Sequence, residues 1–100
     1  MPTLICYDIT KNSLRSKLSK KITTAGLDRI NKSVYLGTIS ESSLTLLENE
    51  LAALLQQSTD PNDSLIILPT TTQHIGLMRI YGNQQLDKDE LSGNKSTLIV

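Results

Sequence analysis

Two amphipathic helical segments set among short apolar runs predict an α+β fold, a ferredoxin-like sandwich whose antiparallel sheet carries two helices on one face. Three observations carry that prediction. Apolar residues recur at helical spacing over residues 14–25 and again over 44–55. The runs Leu4-Ile5-Cys6-Tyr7 and Leu65-Ile66-Ile67-Leu68 have the length and composition of buried strands. With 100 residues, 38% hydrophobic and 20% charged, the chain is long enough for one core and too short for two domains.

The first strand covers Leu4 to Tyr7 and stops at Asp8, with Cys6 inside it as a small core residue. Thr10-Lys11-Asn12-Ser13 then offers side chains that can accept from the free N–H groups of a helix start. Leu14, Leu18, Ile22 and Ala25 share one face of a helix over 13–25, flanked by Arg15 and Lys21. Gly26 follows at the position where a helix terminus takes left-handed backbone.

A second strand is expected from Arg29 to Leu36, with Ile30, Val34 and Leu36 on one face and Arg29, Ser33 and Tyr35 on the other. Gly37 ends it. Ser40 caps a second helix, Glu41 suits the dipole of its first turn, and Leu44, Leu47, Leu51, Leu54 and Leu55 form its core stripe.

Asp60-Pro61-Asn62-Asp63 is a turn, and a third strand runs from Ser64 to Leu68 before Pro69. A fourth strand is expected from about Ile75 to Tyr81. Residues 1–82 thus form the domain. Residues 83–100 read as a polar loop containing Gly93 and a terminal strand, Thr97 to Val100, that needs a partner sheet.

Formal neutrality conceals an uneven charge distribution. Between Lys11 and Lys32 lie seven basic residues against Asp28 alone, whereas Ser33 to Val100 holds three basic and eight acidic residues. Such a cluster is either a solvated helix face or an electrostatic footprint for an anionic partner. Arg15, Lys17, Lys21, Arg29 and Lys32 are the candidate nucleic-acid contacts, and helix geometry cannot place all of them on one surface. With no Phe or Trp and three Tyr, base stacking is poorly supplied, so backbone contacts with a steep salt dependence are expected.

Other chemistry is sparse. No apolar stretch approaches the ~18 residues of a membrane span and no basic leader is evident, so a cytoplasmic protein with no membrane partner is expected. One cysteine excludes an internal disulfide and a cysteine-rich zinc site. The sequence has no Gly-rich phosphate loop, nucleophile elbow or paired-cysteine motif. His74 lacks an identifiable orienting partner for general-base work. Asp60 and Asp63 suit a turn better than a metal.

Leu4-Ile5-Cys6-Tyr7-Asp8-Ile9, followed by Arg15 in a basic helix, resembles the CRISPR-associated protein 2 family, the small subunit of CRISPR spacer acquisition. So does Gly26-Leu27-Asp28-Arg29-Ile30-Asn31-Lys32-Ser33-Val34-Tyr35-Leu36-Gly37, similar to that family's Gly-Leu-x-Arg-x-Gln-x-Ser-Val-Phe-x-Gly stretch. Asn31 stands where Gln is usual, and Tyr35 where Phe is usual. Asp63 to Pro69 looks like the family's third strand, and the resemblance covers roughly residues 3–81.

The resemblance implies a ferredoxin-like homodimer in which Asp8 of each protomer faces a crevice on the two-fold axis. There the pair would hold Mg²⁺ or Mn²⁺ and support endonuclease cleavage of RNA or DNA. Tyr7, Ser33 and Tyr35 are candidates to line that crevice, or simply to sit in an interface. A CRISPR-associated integrase is the implied partner, with duplex DNA held across the dimer and the terminal strand paired with the neighbouring subunit.

The chemistry of Asp8 is consistent with this, because Mg²⁺ is typically held by one or two carboxylates together with substrate phosphates. Two carboxylates ~4 Å apart would repel by ~4 kcal/mol at an effective dielectric of ~20. A divalent cation relieves that repulsion and activates water. On the residues alone, Asp8 reads first as a residue that caps or terminates a turn before the helix, and it is the resemblance that puts the metal site ahead. Two further functions stay open: a catalytically silent dimeric scaffold for DNA and integrase, and a toxin-type ribonuclease resembling virulence-associated protein D, which shares the fold.

Overall fold

A computed structural model describes residues 1–82. Its elements are β1 (Pro2–Asp8), α1 (Asn12–Thr24), β2 (Asp28–Asn31), β3 (Val34–Thr38), α2 (Glu41–Leu55), β4 (Ser64–Pro69) and a short α3 (Thr72–Gly76). The strands form one sheet in the order β2-β3-β1-β4, every neighbouring pair antiparallel. With both main helices packed on one face, this is the ferredoxin-like β-α-β-β-α-β arrangement.

Where one strand is expected from Arg29 to Leu36, the chain folds into a hairpin, turning at Lys32 and Ser33. The Asn31 carboxamide oxygen accepts from Lys32 N–H at 2.7 Å at the start of that turn. Register slips between Arg29 and Asn31, so Ile30 is an extra, bulged residue. The slip keeps the apolar residues in phase across the turn, which is why alternation alone does not reveal it.

The fourth strand expected over 75–81 is absent from the described residues. Thr72–Gly76 is a helical turn instead, with the Thr71 hydroxyl accepting from His74 N–H. Two buried or half-buried side chains of this segment, Ile75 and Met78, pack on the sheet. The polar loop and terminal strand expected over 83–100 lie outside the described residues.

β1 alternates strictly. Thr3, Ile5 and Tyr7 are buried under the helices, while Leu4 and Cys6 face the other side and are only half-buried. Cys6 is therefore no core residue; it belongs to the second face of the sheet. Ile5, Tyr7 and Tyr35 meet Leu14, Leu18 and Ile22 of α1 and Leu44, Leu47 and Leu51 of α2 in the main core. On the opposite face Leu36 and Ile75 form a smaller cluster with Leu4, Ile30 and Met78. The expected apolar trio of Ile30, Val34 and Leu36 thus faces away from the helices, and the polar-looking Tyr35 is fully buried beneath them.

Of the two expected helix starts, one is capped as the sequence suggests. Ser40 accepts from Ser43 N–H at 3.2 Å. The start of α1 has Lys11 at its cap position with no side-chain bond, because a lysine ammonium carries no acceptor for a backbone N–H. Gly26 closes α1 with a φ of 99°, as a left-handed terminus requires. Gly37 is fixed by space, since a Cβ there would lie 2.9 Å from the Leu27 backbone.

Candidate functional site

Asp8 ends β1 on the face away from the helices, with Ser64 of β4 directly opposite. Alternation dictates this position: residues 4, 6 and 8 point to one side of the strand, residues 3, 5 and 7 to the other. The carboxylate is exposed, and among the described residues no side chain pairs with it or hydrogen-bonds to it. Its backbone is well held. Two residues on, Thr10 N–H donates to Asp63 Oδ1 at 2.9 Å, and the Thr10 hydroxyl donates to Asp60 Oδ2 at 2.9 Å.

Asp63 also accepts from the Ser58 hydroxyl. That bond, together with those from Thr10, holds its carboxyl below the usual carboxylate range against a smaller opposing effect of burial. The turn acids therefore clamp the β1–α1 loop beneath Asp8, a role across 50 and 53 residues of sequence that local turn chemistry does not announce.

A metal fits this site only as a half-site. Among the described residues no three His, Cys, Asp or Glu side chains come together. One exposed carboxylate per chain suits Mg²⁺ or Mn²⁺ where a second carboxylate or a substrate phosphate completes the oxygen ligands.

Exposed apolar residues share the sheet face that carries Asp8. Ile66, opposite Cys6, and Leu68, opposite Leu4, point the same way from β4 and are 57% and 54% exposed. Such a patch on the same face as an exposed carboxylate is an interaction surface in character.

Of Tyr7, Ser33 and Tyr35, expected beside Asp8, Tyr7 and Ser33 line a groove reached from the opposite, helix-covered side, and Tyr35 is buried beneath it. Tyr7 and Tyr35 point under the helices, and Ser33 stands in the hairpin turn, where its carbonyl accepts from Tyr7 N–H at 3.1 Å. The groove runs between α1 and the β2–β3 hairpin, and Arg15, Lys20, Arg29 and Lys32 line it. Arg15 donates to Asn12 Oδ1 at 3.1 Å, which steadies one rim.

Two of the expected basic contacts do not join them. Lys17 donates to Gln57 at 3.2 Å and Lys21 pairs with Glu50 at 2.9 Å, both on the α2 side of α1. Lys20 is the groove cation that charge counting did not single out. Its signal is the polar stripe Asn12, Ser16, Ser19, Lys20 and Thr23, whose spacing puts all five on one helix face.

Inside the groove the side chains are linked. The Tyr7 and Tyr35 hydroxyls are 3.0 Å apart, and Tyr35 donates to Ser19 Oγ at 2.7 Å. Arg29 donates to the Tyr35 oxygen from Nε at 3.3 Å and from Nη2 at 3.0 Å. Burial and the bond to Tyr35 raise the Tyr7 hydroxyl above the usual phenol range. Burial pushes Tyr35 up as well, but its bonds with Ser19, Tyr7 and Arg29, with the Arg29 charge, outweigh it and leave Tyr35 lowered.

Comparison with known proteins identifies the family and the fold. A family model described as CRISPR associated protein Cas2 matches residues 1–77. A CRISPR-associated endoribonuclease Cas2 of Korarchaeum cryptofilum is 33% identical over 69 residues, 69% of this chain and 71% of that protein. A second protein of that name, from Methanospirillum hungatei, is 28% identical over 65 residues, 65% of each chain. The crystal structure of Streptococcus pyogenes Cas2 at pH 6.5 superposes with a TM-score of 0.69 at 15% identity, covering 82% of this chain and all of that one. At that identity the likeness speaks for the fold.

Proposed function

The chain belongs to the CRISPR-associated Cas2 family, and from that premise we propose that it is a dimeric, metal-dependent endonuclease subunit of CRISPR spacer acquisition. The observation that carries the reading is Asp8: an exposed carboxylate, unpaired among the described residues, at a clamped strand end on the face that also carries exposed Ile66 and Leu68. A homodimer that pairs these apolar surfaces would cover Ile66 and Leu68 and bring two Asp8 side chains together. RNA is the first substrate to test, because the curated relatives are named endoribonucleases.

Within such a dimer each Asp8 would contribute carboxylate oxygens to Mg²⁺ or Mn²⁺. A bound divalent cation supplies Lewis acidity toward a phosphodiester oxygen. This chain's own part is to fix the carboxylates: β1 pairing with β3 and β4 sets their height, and the Thr10 clamp sets the strand end. The basic groove would hold the nucleic acid backbone, and a CRISPR-associated integrase would be the partner across which the dimer is mounted.

The test is cleavage of single-stranded RNA during a titration of Mg²⁺ and Mn²⁺, with wild type beside Asp8→Ala. Cleavage should need the cation and fall by at least ~100-fold in the variant, the scale of losing one group that stabilises transition-state charge. Retained cleavage would reject Asp8 as the catalytic residue.

A second reading, a catalytically silent scaffold, draws support from the separation of the basic groove and Asp8 onto opposite sides of the sheet. It expects spacer integration with the integrase to survive Asp8→Ala and to weaken on charge reversal at Arg15 and Arg29.

A further inference from the structure

The groove contains one arginine whose side chain is held before any ligand arrives. Arg29 is exposed, yet its guanidinium makes two bonds to the Tyr35 oxygen and a third, from Nη2, to Ser19 Oγ at 3.3 Å. It also lies over the Tyr35 ring, with 5.6 Å from the guanidinium carbon to the ring centre. Tyr35 is itself held on several sides. It is fully buried, stacked on Tyr7 with ring centres 5.9 Å apart, and bonded at its hydroxyl to both Tyr7 and Ser19.

We infer that Tyr35 is a positioning residue for Arg29: its phenolic oxygen locks the guanidinium at the groove rim so that Arg29 meets a backbone phosphate in a preset orientation. The inference rests on the proposed nucleic-acid role of the groove and deepens it. The bonds to Tyr35 and Ser19 occupy Nε and Nη2, and among the described residues none accepts from Nη1. A guanidinium donates in a fixed planar fork, so fixing one side fixes the direction of the other. Arginine also has large rotamer freedom, and restricting it in the free protein lowers the ordering cost of binding.

The electrostatics agree with the geometry. The bond to Tyr35 is the main cause of a raised Arg29 pKa, so the cation is favoured while it is held. Phenylalanine at position 35 would keep the packing and remove the acceptor. Lysine at position 29 would keep the charge and lose the two-pronged grip.

The experiment is a double-mutant cycle on the full chain, reading binding of a labelled single-stranded RNA across a salt series without divalent cation. Arg29→Ala should weaken binding about tenfold and lower the salt slope by about one released ion. Tyr35→Phe should weaken it several-fold with the slope unchanged, and should add nothing once Arg29→Ala is present. Equal loss from Tyr35→Phe in both backgrounds would make Tyr35 a structural residue only and overturn the inference. So would no loss from Tyr35→Phe alone. Should Tyr35→Phe fail to fold, Arg29→Lys must reproduce its loss at constant slope, and an unaltered affinity there overturns the inference instead.

The two levels fail differently. If Arg29→Ala and Arg15→Ala both bind RNA like wild type, the groove reading falls and the positioning role falls with it. If they weaken binding but the cycle is additive, only the positioning role is lost.

Discussion

The two faces of the sheet are built from the same strands and end in opposite conditions. On one face Ile5, Tyr7 and Tyr35 disappear under α1 and α2, and even the polar hydroxyls and Arg29 are joined in one network. On the other, α3 and Met78 cover Leu36 and Leu4, while Ile66 and Leu68 stay more than half exposed on the face that carries Asp8. The first face is completed within the chain. Among the described residues the second stays partly open, and the exposed Asp8 stands at its edge. A small domain can afford one such open face because its stability resides in the other.

That comparison breaks most visibly through the closed face. Leu18 is fully buried between α1, α2 and the sheet. Leu18→Ala should cost about 2–5 kcal/mol of unfolding free energy through lost burial and a cavity. Urea denaturation followed by circular dichroism measures it. A loss below ~1 kcal/mol would mean that the helix-covered core does not carry the fold.

The open face should respond in association, with the fold untouched. Ile66→Glu places a charge in the exposed apolar patch and should weaken a dimer by at least ~30-fold, the effect of losing one hot-spot side chain. Sedimentation at several concentrations reads that shift, and the far-ultraviolet spectrum should not move. Unfolding of the variant would show that Ile66 supports the monomer's own core, contrary to its exposure.

The smallest effect is expected at the clamp that joins the faces, and it depends on pH. Asp63 has a folded pKa depressed below its ordinary 3.8, chiefly by the Ser58 hydroxyl and then by Thr10. A depressed carboxylate contributes stability above its unfolded pKa and loses that contribution as pH falls through the folded value. Asp63→Asn should therefore be less stable than wild type at neutral pH, and the difference should shrink below about pH 3.8. Urea midpoints at a series of pH values give the difference curve. A gap that stays constant into acid would show that the charge of Asp63 plays no part.

Much of this architecture is legible in the residues. The stripe Leu14, Leu18, Ile22 and the stripe Leu44, Leu47, Leu51 report their helices because a buried face must repeat with the helical period. Ser40 and Gly26 mark helix ends through local backbone chemistry. Asp8 is legible as a strand end because an apolar run stops there.

The hairpin at Lys32 and Ser33 was hidden because the Ile30 bulge preserves the alternation on both sides of it. Residues 75–81 are rich in apolar side chains, as a strand would be, yet they form a helical turn and an irregular segment, from which Ile75 and Met78 pack on the sheet. Alternation says that a segment has an apolar side. It does not say whether that side is part of a sheet or covers one.

The sequence by itself determined the class of fold, the two helices and their apolar stripes, and a carboxylate at the end of the first strand. These are consequences of period, capping and composition, all of which act over a few residues. Only the tertiary structure decided which face of the sheet is closed and that Tyr35 is buried. It also decided that Arg15, Lys20, Arg29 and Lys32 share a groove without Lys17 and Lys21, and that Asp60 and Asp63 clamp Thr10. Those outcomes depend on which distant residues arrive on each side of a strand, and a strand's alternation is the same whichever side is covered.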